Sequence, residues 1–239
     1  MTRIINRNNI FNNNIVKNFK LVKSIQVNYL NVNKINKNQV NKFIPILSLE
    51  ERDKYHKITD KKRKKVCITS RLLLRLILSE LTSIRAKELK FSYTANGKPL
   101  LKGDLKKVKF SVSHSGDYIF IATSIGTPIG IDIQKKQEIK SELIINRFFS
   151  ESEKKWILSQ PKSEQINEFY KIWTVKEAYV KMISSTITGI KSINCFIKKD
   201  RYYIEKNKQI IHDLVIEPIN FHPVYFGSLI YKFKPDYRK

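Results

Sequence analysis

The chain has 239 residues, 41% of them hydrophobic, and its 46 Lys and Arg against 21 Asp and Glu leave a formal net charge of +25. That length allows one large domain or two small ones around a substantial core, and no apolar run reaches the ~20 residues of a membrane-spanning helix. The charge favours a polyanionic partner (nucleic acid, an anionic membrane, an acidic protein or a phosphorylated ligand), but the chain is also rich in Lys, Asn and Ile together, as AT-rich coding produces without selection on function, so charge alone does not choose among these.

Residues 1–18 are Asn-rich and lack acids, and they are expected to form a disordered extension. The first acid in the chain is Glu50, which opens a transit-peptide alternative, yet serine is almost absent there and amphipathicity is weak. A cytoplasmic protein is expected, with an organelle as the alternative. Phe19 to Leu30 alternates like a first strand. Ser48-Leu49-Glu50-Glu51 has the capping-box spacing and opens a helix through Lys57, followed by the basic run Lys61 to Lys65. A second helix, about Lys62 to Leu81, lines up Val66, Ile68, Leu72, Leu73, Leu76, Ile77 and Leu81, with Arg71 and Arg75 mostly on its other side. The lysines read either as a solvated helix face or as phosphate contacts. Phe91 and Tyr93 suggest a short strand before the turn Asn96-Gly97-Lys98-Pro99.

From Val108 to Gln134 the pattern is that of three short strands separated by turns. Phe110 and Val112 alternate with serines up to His114-Ser115-Gly116, Tyr118 to Thr123 is apolar, and Ile129, Ile131 and Ile133 set Asp132 on the opposite face by period two. After an apolar stretch (Leu143, Ile144, Ile145, Phe148, Phe149), Ser150-Glu151-Ser152-Glu153 repeats the capping box and starts a helix through Leu158. A longer helix spans about Ser163 to Ile183, and from Ile190 onward short alternating pieces read as strands ending in a basic tail. Cys67 and Cys195 match no metal or redox spacing and read as free thiols. The order of elements recurs loosely in residues 19–128 and 129–239, which suggests two α+β halves of similar build.

On the Ser163–Ile183 helix, Phe169, Ile172, Val175, Tyr179 and Met182 form an apolar stripe, and Trp173, Glu177 and Lys181 share an adjacent strip. By itself that strip is a surface ion pair between Glu177 and Lys181, worth a few tenths of a kcal/mol. If Asp132 lies opposite Glu177, two carboxylates from opposite halves meet across a groove. A hard cation such as Mg²⁺ is then indicated, held with substrate phosphates, and the lysine meets a phosphate oxygen. His114 is either a turn histidine bonded within its hairpin or part of that chemistry; His56, His212 and His222 have no comparable context. There is no Walker or Rossmann glycine loop and no nucleophile elbow.

Taken together, Gly97-Lys98-Pro99, Phe110 to Gly116, Gly130-Ile131-Asp132-Ile133, Arg147 to Glu153 and Phe169 to Lys181, in that order, resemble the 4'-phosphopantetheinyl transferases of the surfactin-synthetase-activating (Sfp) type. The resemblance runs from about Phe19 to the C-terminus. It implies an α+β fold of two similar subdomains related by a pseudo-twofold axis, with coenzyme A in the cleft between them. The implied reaction moves the phosphopantetheine arm of coenzyme A to a serine of an acidic acyl or peptidyl carrier protein of fatty-acid, polyketide or peptide synthesis, and releases adenosine 3',5'-bisphosphate. By motif position Asp132 and Glu177 correspond to Mg²⁺ ligands, and Glu177 also to the residue that helps deprotonate the carrier serine. Lys181 would hold the pyrophosphate, His114 with Ser113 would contact the coenzyme's phosphates, Lys98 would border the adenine, and Lys54 would meet the 3'-phosphate. Many members carry a carboxylate where this chain has Gln134, which bears on metal affinity. The expected partners are coenzyme A and the carrier protein, with no nucleic acid and no membrane, and the expected state is a monomer. The alternatives are a non-catalytic member that binds only carrier protein or coenzyme, and a basic nucleic-acid-binding protein.

Overall fold

A computed structural model describes residues 2–10, 25–137, 141–199 and 201–233. Its backbone divides into two units: unit 1 is Met1–Val108 with His114–Ile125, and unit 2 is Lys109–Ser113 with Gly126–Lys239. The short piece Lys109–Ser113 belongs with unit 2 for a physical reason. The hydroxyls of Ser111 and Ser113 accept the backbone N–H groups of Ile131 (3.1 Å) and Ile133 (3.2 Å).

Unit 1 runs β1 (Arg3–Asn6), β2 (Gln26–Asn31), α1 (Lys37–Phe43), α2 (Leu49–His56), α3 (Lys61–Thr82), β3 (Phe91–Tyr93), β4 (Pro99–Leu101), the two ends of β5 (Val108–Ser115, whose Lys109–Ser113 belong to unit 2) and β6 (Tyr118–Ile125). β1 pairs in parallel with β2, and β2 antiparallel with β6. The expected N-terminal extension is therefore corrected over its first residues. Arg3 to Asn6 take the edge of β2, and Arg7 bonds Asn28 Oδ1 (2.8 Å) and pairs with Glu80 (2.9 Å). Residues 11–18 and the start of the expected Phe19–Leu30 strand lie outside the described residues. α1, which no sequence signal had marked, is held at its start by a capping box of Asn36 and Gln39.

α2 forms where its capping box predicts, with Ser48 Oγ accepting from Glu51 N and Glu51 from Ser48 N. The basic run is the first turn of α3, capped by Asp60. Arg71 and Arg75 are a second correction, since both are buried rather than on a solvent side. Arg71 Nε reaches Glu51 Oε1 (2.8 Å), and Arg75 Nε reaches Glu51 Oε2 (2.9 Å). Arg75 also donates to the carbonyls of Ala86 (2.6 Å) and Leu89 (3.1 Å). The buried Glu51 carboxylate needs compensating charge, and α3 supplies it. The turn expected at Asn96–Pro99 closes the β3–β4 hairpin, where Gly97 has φ +76°, a conformation that favours glycine.

Unit 2 continues through β7 (Ile129–Lys135), α4 (Ser141–Phe148), α5 (Glu151–Ser159), α6 (Lys162–Met182), β8 (Ile193–Lys198), β9 (Arg201–Lys206), β10 (Gln209–Ile210), β11 (Leu214–Pro218) and β12 (Tyr225–Lys232). Its sheets are β11-β12-β7 and β10-β9-β8, both antiparallel. α6 packs on β7 and β12, and the expected stripe of Phe169, Ile172, Val175, Tyr179 and Met182 is buried with Phe149, Ile193, Cys195, Ile204 and Ile230. Both cysteines are free. The chain is of the α+β class, and among the described residues no helix is long and apolar enough to cross a membrane.

Two constraints fix where α6 lies. Gly130 is the first: a Cβ there would fall 1.9 Å from the carbonyl oxygen of Ala178, so only a glycine lets helix and strand approach so closely. Lys176 is the second, a fully buried lysine whose Nζ bonds both Glu153 oxygens (2.9 and 2.7 Å) and the carbonyl of Ile193 (3.0 Å). Burial pulls this lysine below its usual range, and Glu153 opposes that pull. Glu153 is also the capping-box residue of α5 and accepts from the backbone of Cys195 (2.7 Å).

Removing one partner of such a pair strands a buried charge. Lys176→Ala should lower the urea-unfolding free energy by about 3–5 kcal/mol, and joint replacement with Glu153 by apolar residues should restore most of it. Gly130→Ala should cost ~1–3 kcal/mol by overpacking, read in the same titration.

Candidate active site

Asp132 stands in the middle of β7, 1% exposed. Its Oδ1 accepts from Lys181 Nζ (2.6 Å) and Ser113 Oγ (2.8 Å), and its Oδ2 from Gln134 Nε2 (3.1 Å). Lys181 Nζ also donates to Ser113 Oγ (3.0 Å). β5 supplies the serine, β7 the aspartate and the amide, and α6 the lysine, all within unit 2. Helical spacing places Glu177 one turn before Lys181 on α6.

The Glu177 carboxyl is pushed up to about 7, by burial first and by the neighbouring Asp132 charge second, with Lys181 pulling it part of the way back. Among the described residues it accepts no hydrogen bond. A half-buried, unbonded carboxylate beside a second carboxylate favours positive charge, whether a proton or a cation. Both groups are hard oxygen donors, and one or two carboxylates are what Mg²⁺ usually takes from a protein. The donor set fits such an ion, with Asp132 and Glu177 as the residues that would hold it. No larger cluster exists: among the described residues, no three His, Cys, Asp or Glu side chains group as ligands.

Two expectations change here. The carboxylates do not come from opposite halves, because β7 and α6 belong to the same unit. Lys181 does not form the i,i+4 surface pair with Glu177; it reaches Asp132 instead, where the buried carboxylate and the Ser113 hydroxyl bind it together. Of the remaining expected residues, Ser113 is in the cluster, whereas Lys54, Lys98 and His114 are in unit 1. Lys54 is exposed on α2, Lys98 closes its hairpin through backbone bonds with Thr94, and His114 is exposed near the end of β5. Ser111 was missed as a positioning residue; its signal was the serine alternation that also marked Ser113.

Two family models match this chain: "4'-phosphopantetheinyl transferase, N-terminal" over residues 34–126, and "4'-phosphopantetheinyl transferase superfamily" over residues 128–217. The chain belongs to the 4'-phosphopantetheinyl transferase superfamily. Among its relatives, 4'-phosphopantetheinyl transferase Sfp of Bacillus subtilis is 34% identical over 59% of this chain and 61% of its own length. The psf-1 transferase of Bacillus pumilus is 31% identical over 65% of this chain and 66% of its own. The gsp transferase of Aneurinibacillus migulanus is 31% identical over 57% and 52%. The matches thus span about half to two thirds of the relatives' lengths.

Within this superfamily member, Gln134 uses its amide as a donor to Asp132, so it buttresses the aspartate rather than adding a third negative charge. The raised Glu177 carboxyl gives a pH signature. Its folded-state value of about 7 exceeds the ordinary 4.5, so its contribution to stability is full below pH ~4.5 and lost as pH rises through ~7. In metal-free buffer, raising the pH from 5 to 8 should cost on the order of 3 kcal/mol through this group. Glu177→Gln should flatten that slope in pH-dependent urea titrations, and added Mg²⁺ should flatten it in the wild type.

Proposed function

We propose that this protein transfers the 4'-phosphopantetheine arm of coenzyme A to a serine hydroxyl of an apo acyl or peptidyl carrier protein. The observation that carries this reading is the cluster of Asp132 and Lys181, bonded to each other and to Ser113, with Gln134 on Asp132 and the Glu177 carboxyl close enough to feel both charges. In the reaction the serine oxygen attacks the phosphorus that bears the pantetheine arm. The bond from that phosphorus to the bridging oxygen breaks, and adenosine 3',5'-bisphosphate leaves with the electron pair.

Each residue has a distinct task. Glu177 would take the serine proton, directly or through water, as the carboxylate of the cluster that accepts no hydrogen bond of its own among the described residues. Lys181 directs positive charge at the diphosphate oxygens, where charge accumulates in the transition state. Ser113 and Gln134 hold Asp132 in place. Mg²⁺ bound by Asp132 and Glu177 would neutralise diphosphate charge and orient it. Ser113 would also face the coenzyme's phosphates, and Lys54, Lys98 and His114 stay with this reading as contacts for the nucleotide. The acidity of carrier proteins gives the net charge of +25 a purpose in steering encounter.

Incubation with coenzyme A, Mg²⁺ and an apo carrier should add the mass of one phosphopantetheine to the carrier. Asp132→Asn, Glu177→Gln and Lys181→Ala should each slow labelling by ~100-fold or more with thermal unfolding still cooperative. Binding of the carrier without any mass gain would identify a non-catalytic member and sink the proposal.

A further inference from the structure

Unit 2 contains a cavity of about 660 Å³ that the cluster above does not use. Small-molecule sites fall in the range of roughly 300–1,000 Å³. Its walls come from α6, Tyr202 of β9, the end of β11, the start of β12 and the loop that joins the last two. Tyr202, Phe221, Tyr225 and Phe226 line it with aromatic rings, and the ring of Tyr170 stacks on Phe226 at 5.4 Å. No acid lines it, and its one lysine, Lys171, is already paired with Glu168 (2.6 Å). Glu168 is itself buried and also accepts from Trp156 Nε1 (3.1 Å). A guest therefore meets flat apolar surface and no unpaired ammonium or carboxylate.

Hydroxyls supply much of the cavity's polarity, and two of their protons are accounted for. Thr174 Oγ1 donates to the carbonyl of Lys171 (3.0 Å), so in its 2.9 Å contact with Ser228 Oγ the serine is the donor. A hydroxyl has one proton and two lone pairs. Ser228, only 3% exposed, thus keeps acceptor capacity that nothing among the described residues fills. The Tyr202 hydroxyl also has no hydrogen-bond partner among the described residues. We infer that this cavity binds a neutral, planar heteroaromatic molecule carrying a ring N–H, which stacks among the aromatic side chains and donates to Ser228 Oγ. Such a molecule answers both features: flat π surfaces gain from stacking, and a buried acceptor gains when its lone pair is filled. An aliphatic chain would leave that oxygen unfilled, and an anion would set lone pair against lone pair. The site stands apart from the transfer reaction, since none of its lining residues belongs to the Asp132 cluster.

The test titrates the full chain, labelled with ¹⁵N, with indole and with benzofuran, which has the same shape but an oxygen in place of the N–H. Indole should shift the amide signals of Tyr202, Gly227 and Ser228 in a saturable way and bind about tenfold more tightly than benzofuran, the worth of one hydrogen bond. Ser228→Ala should bring indole down to the affinity of benzofuran and leave benzofuran unchanged. Phe221→Ala, a change of a half-buried ring, should weaken both probes alike, and it tests the location even if the serine variant unfolds. Equal affinity of the two probes for the wild type overturns the inference, as does a preference for indole that survives in Ser228→Ala. Shifts confined to amides away from the cavity, or none at the solubility limit of indole, overturn it as well. Activity is not read in any arm, so the outcome leaves the transfer reaction proposed above to its own test.

Discussion

The cluster depends on one close approach. α6 lies on β7 so tightly that position 130 has no room for a side chain, and that contact brings Lys181 within a hydrogen bond of Asp132. A helix displaced by even one methyl group would move both Glu177 and Lys181 relative to the aspartate, since they share the rigid backbone of α6. From this proximity follow the electrostatics: a carboxylate that repels its neighbour, a lysine that offsets the repulsion, and a glutamate left near neutrality in its proton affinity. The site is thus a consequence of packing before it is one of charge.

The two units solve their interiors in the same way. In each, a serine-led capping box opens a short helix, and its glutamate is buried as the counter-ion of a basic residue on the long helix. Glu51 meets Arg71 and Arg75 of α3, and Glu153 meets Lys176 of α6. One carboxylate therefore serves two ends, satisfying an orphan N–H at a helix start and neutralising a buried cation. Breaking either pair leaves an uncompensated charge in a low-dielectric interior, a large penalty, whereas the pair itself adds modest net stability. Its value lies in fixing the orientation of the long helix.

Much of the architecture was legible from local chemistry. Both serine capping boxes, the strands between Val108 and Lys135 and the apolar stripe of α6 follow from patterns within a few residues. α1 and the strand at Arg3–Asn6 did not, because one is short and polar and the other exists only by pairing with a distant edge. Arg71 and Arg75 misled for a related reason: a charged residue reads as solvent-facing until its buried acid, here about twenty residues earlier in the chain, is placed beside it.

For the site, the sequence by itself determined the candidates and their kind: a lone aspartate among isoleucines, serines in alternation, and a glutamate and lysine four apart on a helix. Only the tertiary structure decided who bonds whom. It took Lys181 from Glu177 to Asp132, turned Gln134 into a donor, put both carboxylates in one unit, and left Glu177 without a hydrogen bond among the described residues. Periodicity sets which face of its own element a side chain occupies, whereas partner choice and proton affinity depend on burial and on distances between elements far apart in the chain, which no local pattern encodes.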